Sequence, residues 1–360
     1  MVWVIYSLGY NILIIIVGPK NATRPSAIGV DGKYGVDVAD GVDECVKVVR
    51  RQIGAGADWI KVFVFLWVSV RPTDRKSRSM QASTLRYRSL VPWIHSDLDY
   101  RHRAAAKVTS PKAATTSLPL FSPLELKAMI DAAHALEVKV AAHASNPTTI
   151  SHLIKAGVDT IEHGTDLDSS TLHLFKDNPN VIWNPTLSVL HTMKIPALSL
   201  EIAVKDAFKR GIPKIACGGD AGVFPHGDNA LEMKLIKRCG VDWKEVVKAA
   251  TWTGWLCVRG LWWDSDAGQA ELARYEDGTW AAEQEFRILD DEGGDHDLGE
   301  NEVAVGAIKV GFGADLIATS GDIEGDFEGA VDPNSIPFVM KAGVIYKWHR
   351  QELLAVNNCR

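Results

Sequence analysis

Short β-branched apolar runs alternate with longer amphipathic stretches along most of the chain. Asp58–Phe65 (DWIKVFVF), Val138–Ala142 (VKVAA), Asp159–Glu162 (DTIE), Val181–Trp183 (VIW) and Lys214–Cys217 (KIAC) read as strands, because near-continuous apolar runs of this length suit strands covered on both faces. Between them lie stretches with apolar residues at three-and-four spacing, which is the helical period. Ser122-Pro123-Leu124-Glu125 opens one of these with an N-cap serine, a proline at the first helical position and a glutamate placed for a capping box, before LELKAMIDAAHAL. Asp242-Trp243-Lys244-Glu245 repeats that logic before VVKAATWTGWL, and 43–53, 147–156, 199–210 and 228–238 also read as helices.

Strands that alternate with helices predict an α/β fold on a parallel sheet, either doubly wound or closed as a (β/α)8 barrel. Two stretches break the rhythm. Residues 66–98 carry Arg71, Arg75, Lys76, Arg78, Arg86 and Arg88 with little periodicity, and 264–302 end in the acidic LDDEGGDHDLGENE. Both read as surface insertions. From 303 onward, VAVGAIKVGFGADLIATS and PFVMKAGVIY are short β segments punctuated by glycine, and they predict a small separate sheet. The chain thus divides into 1–263, 264–302 and 303–360. Met1–Val17 is strongly apolar but lacks a basic n-region and a small-residue cleavage site, and Ser7, Gly9, Tyr10 and Asn11 interrupt it. A buried strand or helix is the reading there, with a targeting segment as the alternative.

Composition narrows the function classes. With 46% hydrophobic and 23% charged residues over 360 positions, the chain can bury a sizeable core. A net charge of -6 argues against a nucleic-acid partner, and the short basic run inside an acidic protein reads as a solvated loop. No membrane partner is expected. Five cysteines, widely spaced and odd in number, fit reduced thiols and a cytoplasmic location, with secretion as the alternative.

Four residues sit in or just after predicted strands: Lys61 in ADWIKVF, His143 in VKVAAHA, His163 in VDTIEHG and Asp220 in KIACGGDAG. In a (β/α)8 barrel the C-terminal strand ends converge on one face, which holds the active site. Two imidazoles and a carboxylate suit Zn²⁺ or a similar divalent ion, which acidifies water and polarises a carbonyl. Singly, each has a plainer explanation: a hydrogen-bonded core histidine, a lysine that snorkels to the surface, an aspartate that makes an Asx-turn. The recurrence of apolar strand followed by His, His and then Asp favours one or two metal ions.

Taken together, GADWIK, VAAHA with AGVDTIEHG, NPTL, GGDAG with HGDNALEM, and GAIKVGFGADLI resemble the amidohydrolase superfamily, in the branch of imidazolonepropionase-like and Xaa-Pro-dipeptidase-like hydrolases that includes ochratoxin-hydrolysing amidases. The resemblance covers roughly residues 40–65, 99–262 and 303–348. It implies a TIM-like barrel, here without its first strand, and a small C-terminal β-sandwich remnant. It implies hydrolysis of a C–N bond in a small-molecule amide or peptide substrate, by an enzyme that assembles as a homo-oligomer. Lys61 would be carboxylated on its amine and bridge two metals. His143 and His163 would hold the second metal. Asp220 would bind metal and carry the proton from water to the leaving amine. Tyr100, His102 and His226 would contact substrate.

The superfamily's first ligand pair, H-x-H, has no counterpart in this sequence. A mononuclear site and an inactive or truncated homologue are therefore alternatives, beside the more remote one of a non-metal α/β binding protein. The family's N-terminal sandwich strands and first barrel strand are also without counterpart, and the pattern starts near Gly18–Lys20. The stretch at 66–98 reads either as a lid over the catalytic face or as an unspliced intron in a coding sequence that starts further upstream.

Overall fold

The computed structural model describes residues 2–3, 14–17, 36–69, 115–119, 121–167, 169–211, 214–220, 227–277, 303–348 and 351–352. In chain order, strands Val2–Trp3 (β1), Ile14–Val17 (β2) and Val36–Val38 (β3) precede helix Val42–Gly54 (α1), strands Trp59–Phe63 (β4), Phe65–Ser69 (β5) and Thr115–Pro119 (β6), and helix Pro123–His134 (α2). Strand Lys139–Ala144 (β7), helix Pro147–Ala156 (α3), strand Thr160–His163 (β8), helix Ser169–Lys176 (α4), strand Ile182–Asn184 (β9), and helices Leu187–Thr192 (α5) and Leu198–Arg210 (α6) follow. Strand Lys214–Ile215 (β10) leads into helices Ala230–Arg238 (α7), Trp243–Ala250 (α8), Trp252–Val258 (α9) and Asp266–Asp277 (α10). Strand Leu316–Ala318 (β11), the short helix Phe327–Ala330 (α11) and strands Phe338–Lys341 (β12), Val344–Trp348 (β13) and Gln351–Glu352 (β14) complete the described chain.

Two compact units emerge. One comprises Tyr10–Trp183 and Val189–Ala203. Its strands form a parallel sheet in the order β9-β8-β7-β4-β2-β3. A barrel whose strands follow chain order would set β3 beside β4; here β2 takes that place, with Ile15 in register with both Val36 and Lys61. The sequences suit these positions. Ile-Ile-Ile-Val is a continuous apolar run of the kind that flanked parallel strands carry, whereas β3 includes Asp37, whose carboxylate takes hydrogen bonds from Arg51 and Gln52. Ile60, Val62, Val140, Ala142 and Ile161 from the strands, and Val49, Met129, Ile130, Ile150 and Leu153 from the helices, make the core.

The capping signals of the sequence are realised. Ser122 Oγ accepts from Glu125 N, and the Glu125 carboxylate accepts from Ser122 N at 2.7 Å. The same carboxylate accepts from Gly41 N at 2.8 Å and so also ties down the start of α1. Asn146 caps α3 by accepting from Thr148 N at 2.9 Å. The apolar run after Lys61 does not stay in one strand. It passes into β5, which pairs antiparallel with β6. The rest of the basic stretch, 70–98, lies outside the described residues, as do Gly18–Lys20.

The other unit comprises Met1–Gly9, Asn184–Ser188 and Val204–Arg360. Trp255, Trp263, Ala304 and Val305 form a buried cluster against which Trp252, Leu272 and Phe312 pack. The C-terminal β segments form a single antiparallel sheet in the order β1-β11-β12-β13-β14. Its β12–β13 hairpin turns on Ala342 and Gly343, at φ 48° and 75°, the mirror-image turn that matches strand twist. Asp315 of GADLI accepts from Ala342 N at 2.7 Å and holds that turn. The acidic stretch, expected to be a surface insertion, carries α10 near its start, whose Ala, Gln, Glu, Leu and Arg are good helix formers. Residues 278–302 lie outside the described chain.

Candidate active site

Lys61, His143 and His163 stand on three adjacent parallel strands, β4, β7 and β8. Lys61 is in register with Ala141, and Phe63, two residues further on the same face, is in register with His143. The phenyl ring of Phe63 lies flat on the His143 imidazole, with centroids 3.9 Å apart and planes inclined by 11°. Val64 N donates to His143 O at 3.3 Å, which fixes the backbone at that strand end.

Register alone would place His163 beside Ala144 rather than beside His143. His163, however, has φ 72°. This left-handed conformation is rare for a histidine and breaks the alternation of the strand. Its ring meets that of His143 edge-on, with centroids 4.5 Å apart. Two features hold the turn. Trp183 Nε1, from β9, donates to His163 O at 3.0 Å. Gly164 follows at φ 59°, where a Cβ would stand 2.6 Å from Trp183 Nε1 and 2.7 Å from Leu167 Cδ1. The glycine of IEHG thus admits the tryptophan that anchors the histidine.

Protein packs around both imidazoles even though each keeps some surface. Burial drives His163 down to about 3, with the Lys61 ammonium adding to the effect. Burial likewise holds His143 well below the usual histidine range, with His163 and Lys61 as lesser causes. Both rings are therefore neutral, which is the form in which imidazole binds a metal. Lys61 as a free ammonium has no lone pair to give and becomes a ligand only by gaining a carboxylate. Two neutral imidazoles side by side with such a lysine fit a divalent ion. No group of three or more His, Cys, Asp or Glu side chains comes close enough to hold a metal among the described residues.

Asp220 belongs to the other unit. It is exposed, on the loop after β10, and at φ 56° it too adopts the left-handed conformation. Tyr100, His102 and His226 lie outside the described residues. The structure thus brings together Lys61, His143 and His163. Sequence reasoning missed Phe63 and Trp183, which pass for ordinary core residues in apolar runs. The signal for Phe63 was its place two residues beyond Lys61, on the same face of the strand.

Comparison with known proteins agrees with the resemblance. An uncharacterized protein of Mycobacterium tuberculosis is 32% identical over 178 residues, covering 44% of this chain and 46% of that protein. Ochratoxinase of Aspergillus niger is 25% identical over 327 residues, covering 86% of this chain and 50% of that enzyme. The chain therefore spans about half the length of the curated relatives it matches. Among solved structures, A. niger ochratoxinase superposes with a TM-score of 0.61 at 22% identity, over 94% of this chain and 66% of the other. A Xaa-Pro dipeptidase with methionine bound in its active site gives 0.57 at 22% identity, over 92% and 66%. These likenesses show a shared fold. The description "Amidohydrolase family" matches residues 24–259, well over half of the 360-residue chain. With its motifs in order and its fold shared with that family's hydrolases, the chain belongs to the amidohydrolase family.

Proposed function

We propose that the chain is the core of a metal-dependent amidohydrolase that cleaves a C–N bond in a small amide or dipeptide-like substrate. The observation that carries this reading is the neutral His143–His163 pair, with Lys61 on the adjoining strand. The likeness to a Xaa-Pro dipeptidase that holds methionine in its active site favours a dipeptide-like substrate.

In this reading His143 and His163 bind the ion through imidazole nitrogens, and Lys61 adds an anionic oxygen once its amine is carboxylated. A divalent ion such as Zn²⁺ supplies Lewis acidity, which acidifies water and polarises the scissile carbonyl. Phe63 covers one face of His143 and keeps solvent from it. Asp220 would take a proton from the attacking water as the C–O bond forms, and then give it to the amine nitrogen, so that the C–N bond breaks and a neutral amine leaves. Tyr100, His102 and His226 contact substrate. The parallel sheet belongs to a (β/α)8 barrel, the C-terminal sheet to a β-sandwich remnant, and the enzyme works in the cytoplasm as a homo-oligomer. Among the described residues, no helix is long and apolar enough to cross a membrane.

A second reading is an inactive homologue that keeps the fold, favoured by the lack of any H-x-H in the sequence. Metal analysis joined to an assay on N-acyl amino acids separates the two. The enzyme reading expects about one or two equivalents of Zn per chain and hydrolysis that Asp220→Asn abolishes. Bound metal without turnover favours the inactive homologue. A folded sample that takes up no metal overturns the first reading.

A further inference from the structure

Glu232, in the middle of α7, is 1% exposed, and its charge is met by hydrogen bonds from one short stretch of chain. Oε1 accepts from Leu187 N at 2.9 Å. Oε2 accepts from Ser188 N at 2.7 Å and from Ser188 Oγ at 2.6 Å. A buried carboxylate is costly to desolvate; here it caps the two amides that open α5, whose first-turn N–H groups have no partner inside the helix.

The stretch it holds is unusual. Thr186, immediately before the clamped amides, has φ 53°, an outlier for a β-branched residue that persists only where the surroundings over-determine it. Six described residues other than glycine have positive φ. Glu137, Lys194 and Ala342 lie in turns that follow a helix or join two strands, whereas His163, Thr186 and Asp220 lie at or just beyond the C-terminal ends of β8, β9 and β10. Asp220 is a candidate site residue, and Thr186, in the same compact unit, occupies the equivalent place after β9. The segment is also fixed at its start: Asn184 Nδ2 donates to Cys257 Sγ at 3.6 Å, and a Cβ on Gly218 would stand 3.3 Å from the Asn184 side chain. Ligands in parallel α/β folds bind at the carboxyl ends of strands.

We propose that Glu232 is a positioning residue: it holds Asn184–Ser188 in the conformation that receives the substrate. The proposal rests on the hydrolase reading above. Glutamine at 232 keeps the shape but can accept from only one of the two amides, so the segment relaxes. Burial also pushes the Glu232 carboxyl up to about 7 against the pull of its three hydrogen bonds, so the neutral variant carries no burden of desolvated charge and should fold.

The test compares wild type with Glu232→Gln by amide hydrogen exchange of the 184–188 segment, by affinity for N-acetyl-methionine, and by steady-state hydrolysis of it. Expected are faster exchange in that segment, a loss of about tenfold in kcat/KM carried in KM, as for a misplaced contact, and unchanged zinc content. Ser188→Ala, which leaves both backbone bonds in place, should raise KM about fivefold, on the scale of one hydrogen bond. Unchanged exchange in Glu232→Gln overturns the clamp. Faster exchange with wild-type affinity and KM overturns the substrate role. If wild type binds zinc but hydrolyses nothing, the hydrolase reading fails; exchange and affinity then still decide on Glu232.

Discussion

At the scale of single residues, the strand ends are held by a few close approaches. Gly164→Ala places a methyl group against Trp183 and Leu167 at a backbone angle that disfavours side chains. We expect a loss of about 3 kcal/mol in stability, read as a lower urea midpoint, with weaker zinc binding because His163 shifts with its neighbour. Glu232 makes a second prediction, this time on pH. Its carboxyl is raised from an ordinary 4.5 to about 7. Between those values the folded chain keeps a proton that the unfolded chain releases, so stability falls as pH rises through that window, by up to about 3 kcal/mol. Ser188 and Leu187 lower the carboxyl, and Cys217, pushed up by burial first and by Glu232 second, stays a neutral thiol. Denaturation at pH 5 and pH 8 should show this fall in wild type and not in Glu232→Gln; parallel behaviour in the two proteins would refute it. Lys61, His143 and His163 were legible in the sequence because each is a polar residue in or ending an apolar run. Trp183 and Glu232 were not. One is an apolar residue in an apolar strand, the other a charged residue on a helix that reads as amphipathic, and their partners are remote in sequence.

Among elements, the helices with explicit start signals were the most legible. Those at 123–134 and 243–250 begin where their caps say, since capping is local chemistry that a sequence carries whole. What the sequence could not carry was the second task of Glu125, the bond to Gly41 at the start of α1, which depends on the two helices lying side by side. Glu125→Ala should therefore cost more than a single lost cap, about 2 kcal/mol, whereas Ser122→Ala should cost about 1 kcal/mol. Equal losses in thermal denaturation of the two variants would show that the bond to Gly41 contributes nothing. Strand order was illegible for the same reason. The apolar run at 14–17 marks a buried strand or helix but says nothing of its insertion between β3 and β4. The acidic composition around 266–277 hides a helix, whose Ala, Gln, Glu, Leu and Arg favour that state despite the charge.

For the whole molecule, the family is clearer than the chemistry, and a linkage experiment bears on the chemistry directly. A ligand that binds only the folded chain stabilises it by an amount set by its concentration relative to its dissociation constant, about 2.7 kcal/mol at a hundredfold excess. His143 and His163 are already neutral and adjacent, so no proton need leave them when zinc binds, and the stabilisation should persist at mildly acid pH, where exposed histidines fail as ligands. We expect Zn²⁺ to raise the unfolding midpoint of metal-free protein at pH 6, and His143→Ala or His163→Ala to abolish that rise. Glu328→Gln, which only breaks an exposed pair with Arg238, should leave it intact, because such pairs contribute little to stability. A rise that survives both histidine substitutions would place the ion elsewhere and leave the strand-end imidazoles as packing. A rise confined to wild type and Glu328→Gln would tie the ion to the histidines of β7 and β8.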